Sequence, residues 1–228
     1  GKPYPPLPKL VFPSFGLFKQ SFKQNISPFA ALCGLSPAGQ MDMGSLVHLI
    51  NSFAGQGNWV AHPDCRIMAV DAHTGEHVAL GTHQAPGTSI QSAVCASYAV
   101  PSWCPPVTIA GRTFLDGGVV SPTAANQVAD SDIDEVIILA PMSSRTLDNT
   151  KHPFNKMERK IRRIMTHIVD REVAQLRAAG KKVIRLEPGS EDLQAIGYNM
   201  MDHRRREQVF KTAVRSARGT VARGLAES

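Results

Sequence analysis

The chain has 228 residues, of which 43% are hydrophobic and 19% charged, enough for a full buried core and ordinary for a globular protein. It has no run of about 18 apolar residues, which excludes a membrane-spanning helix, and its proline-rich opening over residues 1–8 is not a signal peptide. The net charge of +6 is unevenly spread: residues 1–150 hold 7 Lys+Arg against 10 Asp+Glu, net −3, and residues 151–228 hold 18 against 9, net +9.

Residues 1–28 read as a proline-rich extended lead-in with at most one short helix near residues 15–23, and a start of this composition suggests that further sequence precedes it. Residues 29–228 read as one α/β domain. Two helical pieces are expected over residues 28–56, broken at Ser36-Pro37-Ala38-Gly39. Asp42 caps the second, whose Leu46, Val47, Leu49, Ile50 and Phe53 follow helical spacing. The apolar run from Cys65 to Asp71 suits a strand buried on both faces, and Thr74-Gly75 turns it into a second strand. Small residues over 89–99 suit a tightly packed helix. Short strands at Val107-Thr108-Ile109 and from Arg112 to Leu115 follow, then a helix from Pro122 to Ala129 capped by Ser121.

Residues 136–140 read as another buried strand. The longest helix is expected from Asn155 to Ala179, stopped by Gly180, and Lys182-Val183-Ile184-Arg185-Leu186 returns as a strand, so the three form a crossover with parallel strands. Residues 203–224 read as a basic terminal helix.

The chemistry concentrates in Asp116-Gly117-Gly118, an acid at a strand end followed by two glycines. Glycine permits a sharp turn and leaves the carboxylate unobstructed, so the acid can orient or deprotonate a nucleophile. Such a tripeptide on its own is also an ordinary hairpin turn.

Its surroundings decide between these readings. Ala93-Val94-Cys95-Ala96-Ser97-Tyr98-Ala99-Val100-Pro101, then Pro105-Pro106-Val107-Thr108-Ile109-Ala110-Gly111-Arg112, then Leu115-Asp116-Gly117-Gly118-Val119-Val120-Ser121-Pro122 resemble the patatin-like phospholipase family. Looser matches run through Asp134-Glu135-Val136-Ile137-Ile138-Leu139-Ala140-Pro141, Asp192-Leu193 and residues 197–202. The resemblance implies a three-layer patatin-like α/β sheet with helices on both faces. It implies a lipid acyl hydrolase working by a Ser-Asp dyad, with Asp116 as the acid/base and Gly117 and Gly118 giving its backbone room. It implies a lipid ester substrate and no metal or organic cofactor.

One departure stands against these matches. The family carries its nucleophile in a Gly-x-Ser-x-Gly elbow after a glycine-rich oxyanion loop, and neither occurs here. Gly87-Thr88-Ser89-Ile90-Gln91 lacks the second glycine, Gly44-Ser45 has the wrong spacing, and Gly55-Gln56-Gly57 reads as a plain loop. The expectation is therefore the C-terminal portion of a hydrolase, without the N-terminal strands, its serine coming from a segment or partner fragment outside residues 1–228. This chain alone would be inactive. The alternative is a catalytically inactive relative acting as a lipid-binding or interaction module.

Other residues carry weaker signals. Cys33, Cys65, Cys95 and Cys104 are scattered without a Cys-x-x-Cys pair, so they read as buried thiols of a reducing, cytoplasmic protein rather than a zinc site. Asp71 ends a strand, where it serves a turn or borders a ligand crevice. The eight histidines form no ligand spacing, and Ser97 and Ser102 lack an elbow. Trp59 and Trp103 either pack in the core or lie toward the substrate. Lys156, Arg159, Lys160, Arg162 and Arg163 form a basic stretch on the long helix, opposite an apolar stripe expected to face the sheet. Basic charge with few aromatics argues for a solvated face or peripheral contact with anionic membrane, and against nucleic acid.

Overall fold

A computed structural model describes residues 33, 35–54, 59–62, 64–200 and 202–228. The lead-in over 1–28, the loop at 55–57 and all of the first helical piece except Cys33, Leu35 and Ser36 lie outside them. The chain divides into two compact units between Val120 and Ser121.

The first unit opens with α1 (Gly44–Ala54), where Asp42 Oδ1 accepts the N–H of Gly44 at 2.8 Å. Its sheet has four antiparallel strands in the order β2-β1-β4-β3, with β1 at Ile67–Asp71, β2 at His77–Leu80, β3 at Val107–Ile109 and β4 at Arg112–Asp116. The expected hairpin is present, Ile67 pairing with Leu80 and Val70 with His77. Successive strand side chains point to opposite faces, so β4 splits its apolar pair. Phe114 joins Ala69, Leu80, Ala93 and Ala96 under helix α2 (Ile90–Ser97), while Leu115 packs on Cys33, Ala72 and Val119.

The second unit contains the expected crossover. β5 (Glu135–Leu139), α3 (Pro153–Ala178) and β6 (Lys182–Leu186) form a parallel pair bridged by one long helix, with Ile137 opposite Ile184. Gly180, at φ +80, turns the chain out of α3. Ile138, Ala140, Val169, Val173, Leu176 and Val183 form the core between sheet and helix. α4 (Ser190–Ile196) and α5 (Arg206–Ala226) follow, and Ser216 Oγ donates to Asp192 Oδ1 at 2.7 Å to tie them together. α5 lies on the other face of β6. It comes so close that a Cβ on Gly224 would stand 2.7 Å from Leu186 Cδ2 and 2.9 Å from the Arg185 carbonyl oxygen.

The α/β class is borne out, with the strands divided between an antiparallel and a parallel sheet. Three local readings need correction. β5 is not buried on both faces: Ile138 faces α3, whereas Ile137 and Leu139 are exposed, because α5 covers β6 alone. Residues 122–129 form a short 3-10 turn, Ala125–Val128, instead of an α-helix. Ala124, at φ +47, breaks the helical path there, while Glu172 takes the free donors of Ser121, Thr123 and Ala125. Finally, Arg159 and Arg162 are 5% and 1% exposed, not part of a solvated basic face. Arg162 pairs with Glu158 at 2.7 Å and donates to the Pro141 carbonyl at 2.6 Å, and Arg159 is held by Asp148 at 2.5 Å and by Glu158.

Candidate active site

Asp116 closes β4 beside β1, where it is paired with Ala69, and its N–H donates to the Ala99 carbonyl at 3.1 Å. The chain then leaves the sheet through a 3-10 turn, Gly117–Val119. The two glycines serve different ends. A Cβ at Gly117 would stand 2.7 Å from the Met68 carbonyl oxygen, so the turn can press against β1 only with hydrogen there. At Gly118 a Cβ would stand 3.2 Å from Asp116 Oδ1, against the carboxylate itself. The Gly118 N–H donates to that same oxygen at 2.8 Å, and His77 Nε2 donates to the Gly117 carbonyl at 3.1 Å.

Burial pushes the Asp116 carboxyl above the usual carboxylate range, and the Gly118 N–H offsets part of the rise. Its neighbours keep the surroundings neutral. Cys33 is pushed up to about 11 by burial and then by the Asp116 charge, so it is a thiol at neutral pH. Tyr98 rises by burial, then through Cys104 and Asp116. Cys104 rises chiefly by burial, with the Val100 N–H opposing and Asp116 and Cys95 adding. The arrangement is a carboxylate of raised basicity with one fixed oxygen, set among groups that carry no charge.

The other candidates lie elsewhere. At Asp71, burial raises the carboxyl, but the N–H groups of Thr74 and His73 and the Arg112 guanidinium outweigh it and bring the net value below the usual range. Those contacts, at 3.0, 2.8 and 2.9 Å, make it the organiser of the β1–β2 turn. Ser89 is occupied as the N-cap of α2, its Oγ accepting the Ser92 N–H at 3.3 Å. Ser97 is the last residue of α2, and Ser102 sits in a left-handed turn at φ +67. Trp103 is half-buried and docked through its backbone, its carbonyl accepting the Met41 N–H at 2.9 Å, whereas Trp59 packs against the α2 side of the sheet. All four cysteines are free. Among the described residues no group of His, Cys, Asp and Glu could hold a metal ion, and no helix is long and apolar enough to cross a membrane. Sequence reasoning missed the influence of Asp116 on Cys33, Tyr98 and Cys104, because nothing in the order of the chain signals that these groups lie near its carboxyl.

No curated protein matches the chain. Residues 37–129 match the family model for Patatin-like phospholipase, a family of lipid acyl hydrolases. That match runs from the segment before α1 to the turn after Ser121, so it contains every strand of the first unit among the described residues and all of the Asp116 turn. The stretch of this chain that holds Asp116-Gly117-Gly118 thus lies within the match.

Proposed function

We propose that this chain is part of a serine lipid acyl hydrolase in which Asp116 is the acid/base of a Ser-Asp dyad. The observation that carries the reading is the Asp116 carboxylate itself: it closes a strand inside the patatin-like stretch, with its affinity for protons raised by burial and one oxygen fixed by Gly118. A carboxylate so poised takes a proton from a serine hydroxyl more readily than a solvated one. The serine attacks the ester carbonyl, the alcohol leaves with the proton returned by Asp116, and water hydrolyses the acyl-enzyme by the same route. Residues 1–228 contain no Gly-x-Ser-x-Gly, so the nucleophile is assigned to sequence outside them.

The test uses the protein as it occurs in its source cell, with turnover of a phospholipid ester, labelling by a fluorophosphonate, and mass mapping of the label. The expected label sits on a serine outside these residues. Asp116→Asn should lower turnover by about a hundredfold or more with unchanged circular dichroism. Full turnover in that variant would overturn the dyad. Lipid binding with neither label nor turnover in the wild type would make the protein an inactive lipid-binding relative instead.

A further inference from the structure

The long helix α3 carries the clearest unexplained surface. At roughly 100° per residue, Phe154, Met157 and Ile164 fall within a sector of about 80°, and Lys156, Lys160 and Arg163 fill the adjoining sector of about 60°. The apolar group is not turned into the core: Phe154 is 57% exposed, Met157 59% and Ile164 42%. The segment after α4 extends the patch, with the Tyr198 ring 5.6 Å from that of Phe154 and stacked on His152 at 5.7 Å.

Along α3 the exposed charge beside this patch has one sign. Between Asp148 and Asp170 the only acid is Glu158, and it is buried against Arg159 and Arg162. Asp148 is likewise buried against Arg159. Lys156, Lys160 and Arg163 are exposed, and none of them forms an ion pair among the described residues. The two buried arginines also hold the patch in place. Arg159 donates to the Leu193 carbonyl at 2.8 Å and Arg162 to Met200 Sδ at 3.7 Å, which fastens the Tyr198–Met200 segment to the helix.

We propose that this face seats on an anionic lipid bilayer, Phe154, Met157 and Tyr198 entering the headgroup region while Lys156, Lys160 and Arg163 meet lipid phosphates. An apolar sector bordered by a basic one is the arrangement of helices that lie in a membrane interface. Tyrosine favours that depth. A nucleic-acid surface would interleave stacking rings with its cations, whereas here Phe154 and Tyr198 pack on one another and share the apolar sector with Met157 and Ile164, beside the cations and not among them. The inference stands apart from the catalytic reading, since it uses no residue of the Asp116 site.

The experiment is co-sedimentation of the protein with vesicles of phosphatidylcholine alone and of equal parts phosphatidylcholine and phosphatidylserine. Preferential binding to the anionic vesicles, weakened by added salt, is expected. Each basic residue near the surface contributes about 1 kcal/mol, so Lys156→Gln/Lys160→Gln/Arg163→Gln should bind them about a hundredfold more weakly. Phe154→Ser/Met157→Ser should lose binding to both vesicle types. All five side chains are exposed, and circular dichroism checks that both variants fold. Asp116→Asn should bind like the wild type even where turnover is gone, which separates this surface from the catalytic proposal. Equal binding by the triple variant would overturn the inference. So would indifference of the wild type to anionic vesicles, or preference for an oligonucleotide over them.

Discussion

The Gly118 N–H reaches Asp116 Oδ1 at 2.8 Å, so the acid and the second glycine after it form one closed turn at the end of β4. This relationship fixes one carboxylate oxygen and leaves the other unconstrained by the turn. It also separates what the two glycines do, and that separation can be measured.

Gly117→Ala should damage the fold, because its Cβ would meet backbone at 2.7 Å rather than a side chain that can swing away. Overpacking of this kind costs about 1–3 kcal/mol. Gly118→Ala meets the carboxylate at 3.2 Å, so it should leave stability within about 1 kcal/mol and displace the acid, lowering ester turnover roughly tenfold. Urea unfolding and an ester assay on both variants check the pair. Equal effects on stability would show that the distinction is wrong.

Asp116 should oppose the stability of its own unit. Its folded carboxyl binds a proton more tightly than the unfolded one. Stability is therefore full below the unfolded value and declines as pH rises through the folded value. Asp116→Asn removes that loss while keeping an acceptor for Gly118. The variant should be more stable than wild type at neutral pH and no more stable in acid, as urea midpoints across pH would show.

Asp71 has the opposite sign. Its folded value lies below the usual range, so its contribution is present above the unfolded value and disappears as pH falls through the folded one. Asp71→Asn keeps an oxygen for the turn and loses only the pairing with the half-exposed Arg112, at a cost of about 1 kcal/mol or less. Asp71→Ala also strands the His73 and Thr74 donors and should cost about 1–3 kcal/mol. Denaturation at neutral pH ranks the two, and both differences should shrink in strong acid.

In the second unit, Arg162→Leu leaves Glu158 with a single buried partner and should cost about 3–5 kcal/mol. Adding Glu158→Gln should recover much of that loss, since the uncompensated charge is then gone. A urea double-mutant cycle reads the recovery, and a double variant as weak as the sum of the singles would contradict the coupling.

Periodicity and turn chemistry made much of this fold legible. The Thr74-Gly75 hairpin, the small-residue helix α2 and the β5–α3–β6 crossover depend on local signals, and the structure has all three. What escaped depends on partners distant in sequence. Nothing local distinguishes Arg162, buried against Glu158, from Arg163, exposed one residue later. Likewise Ile137 and Leu139 look like core until α5 is seen to lie over β6 alone. At the candidate site the acid and its glycines stood out as a motif, whereas the thiols and phenol near the carboxyl come from two other segments, Cys33 before α1 and Tyr98 and Cys104 in the α2–β3 connection.

The charges inside the second unit imply that the two units answer differently to heat and cold. Among the described residues the first unit encloses two carboxyl groups, Asp71 and Asp116, whereas the second encloses Glu158, Arg159, Arg162, Glu172 and Arg185. Ions lose hydration free energy as temperature rises, so enclosing them becomes less costly when warm. Apolar burial, on which the first unit chiefly rests, weakens on chilling. Cooling therefore weakens both units, the first through its apolar burial and the second also through the rising cost of its enclosed ions. Warming relieves that ionic cost, and the unit that carries α3 gains most from the relief.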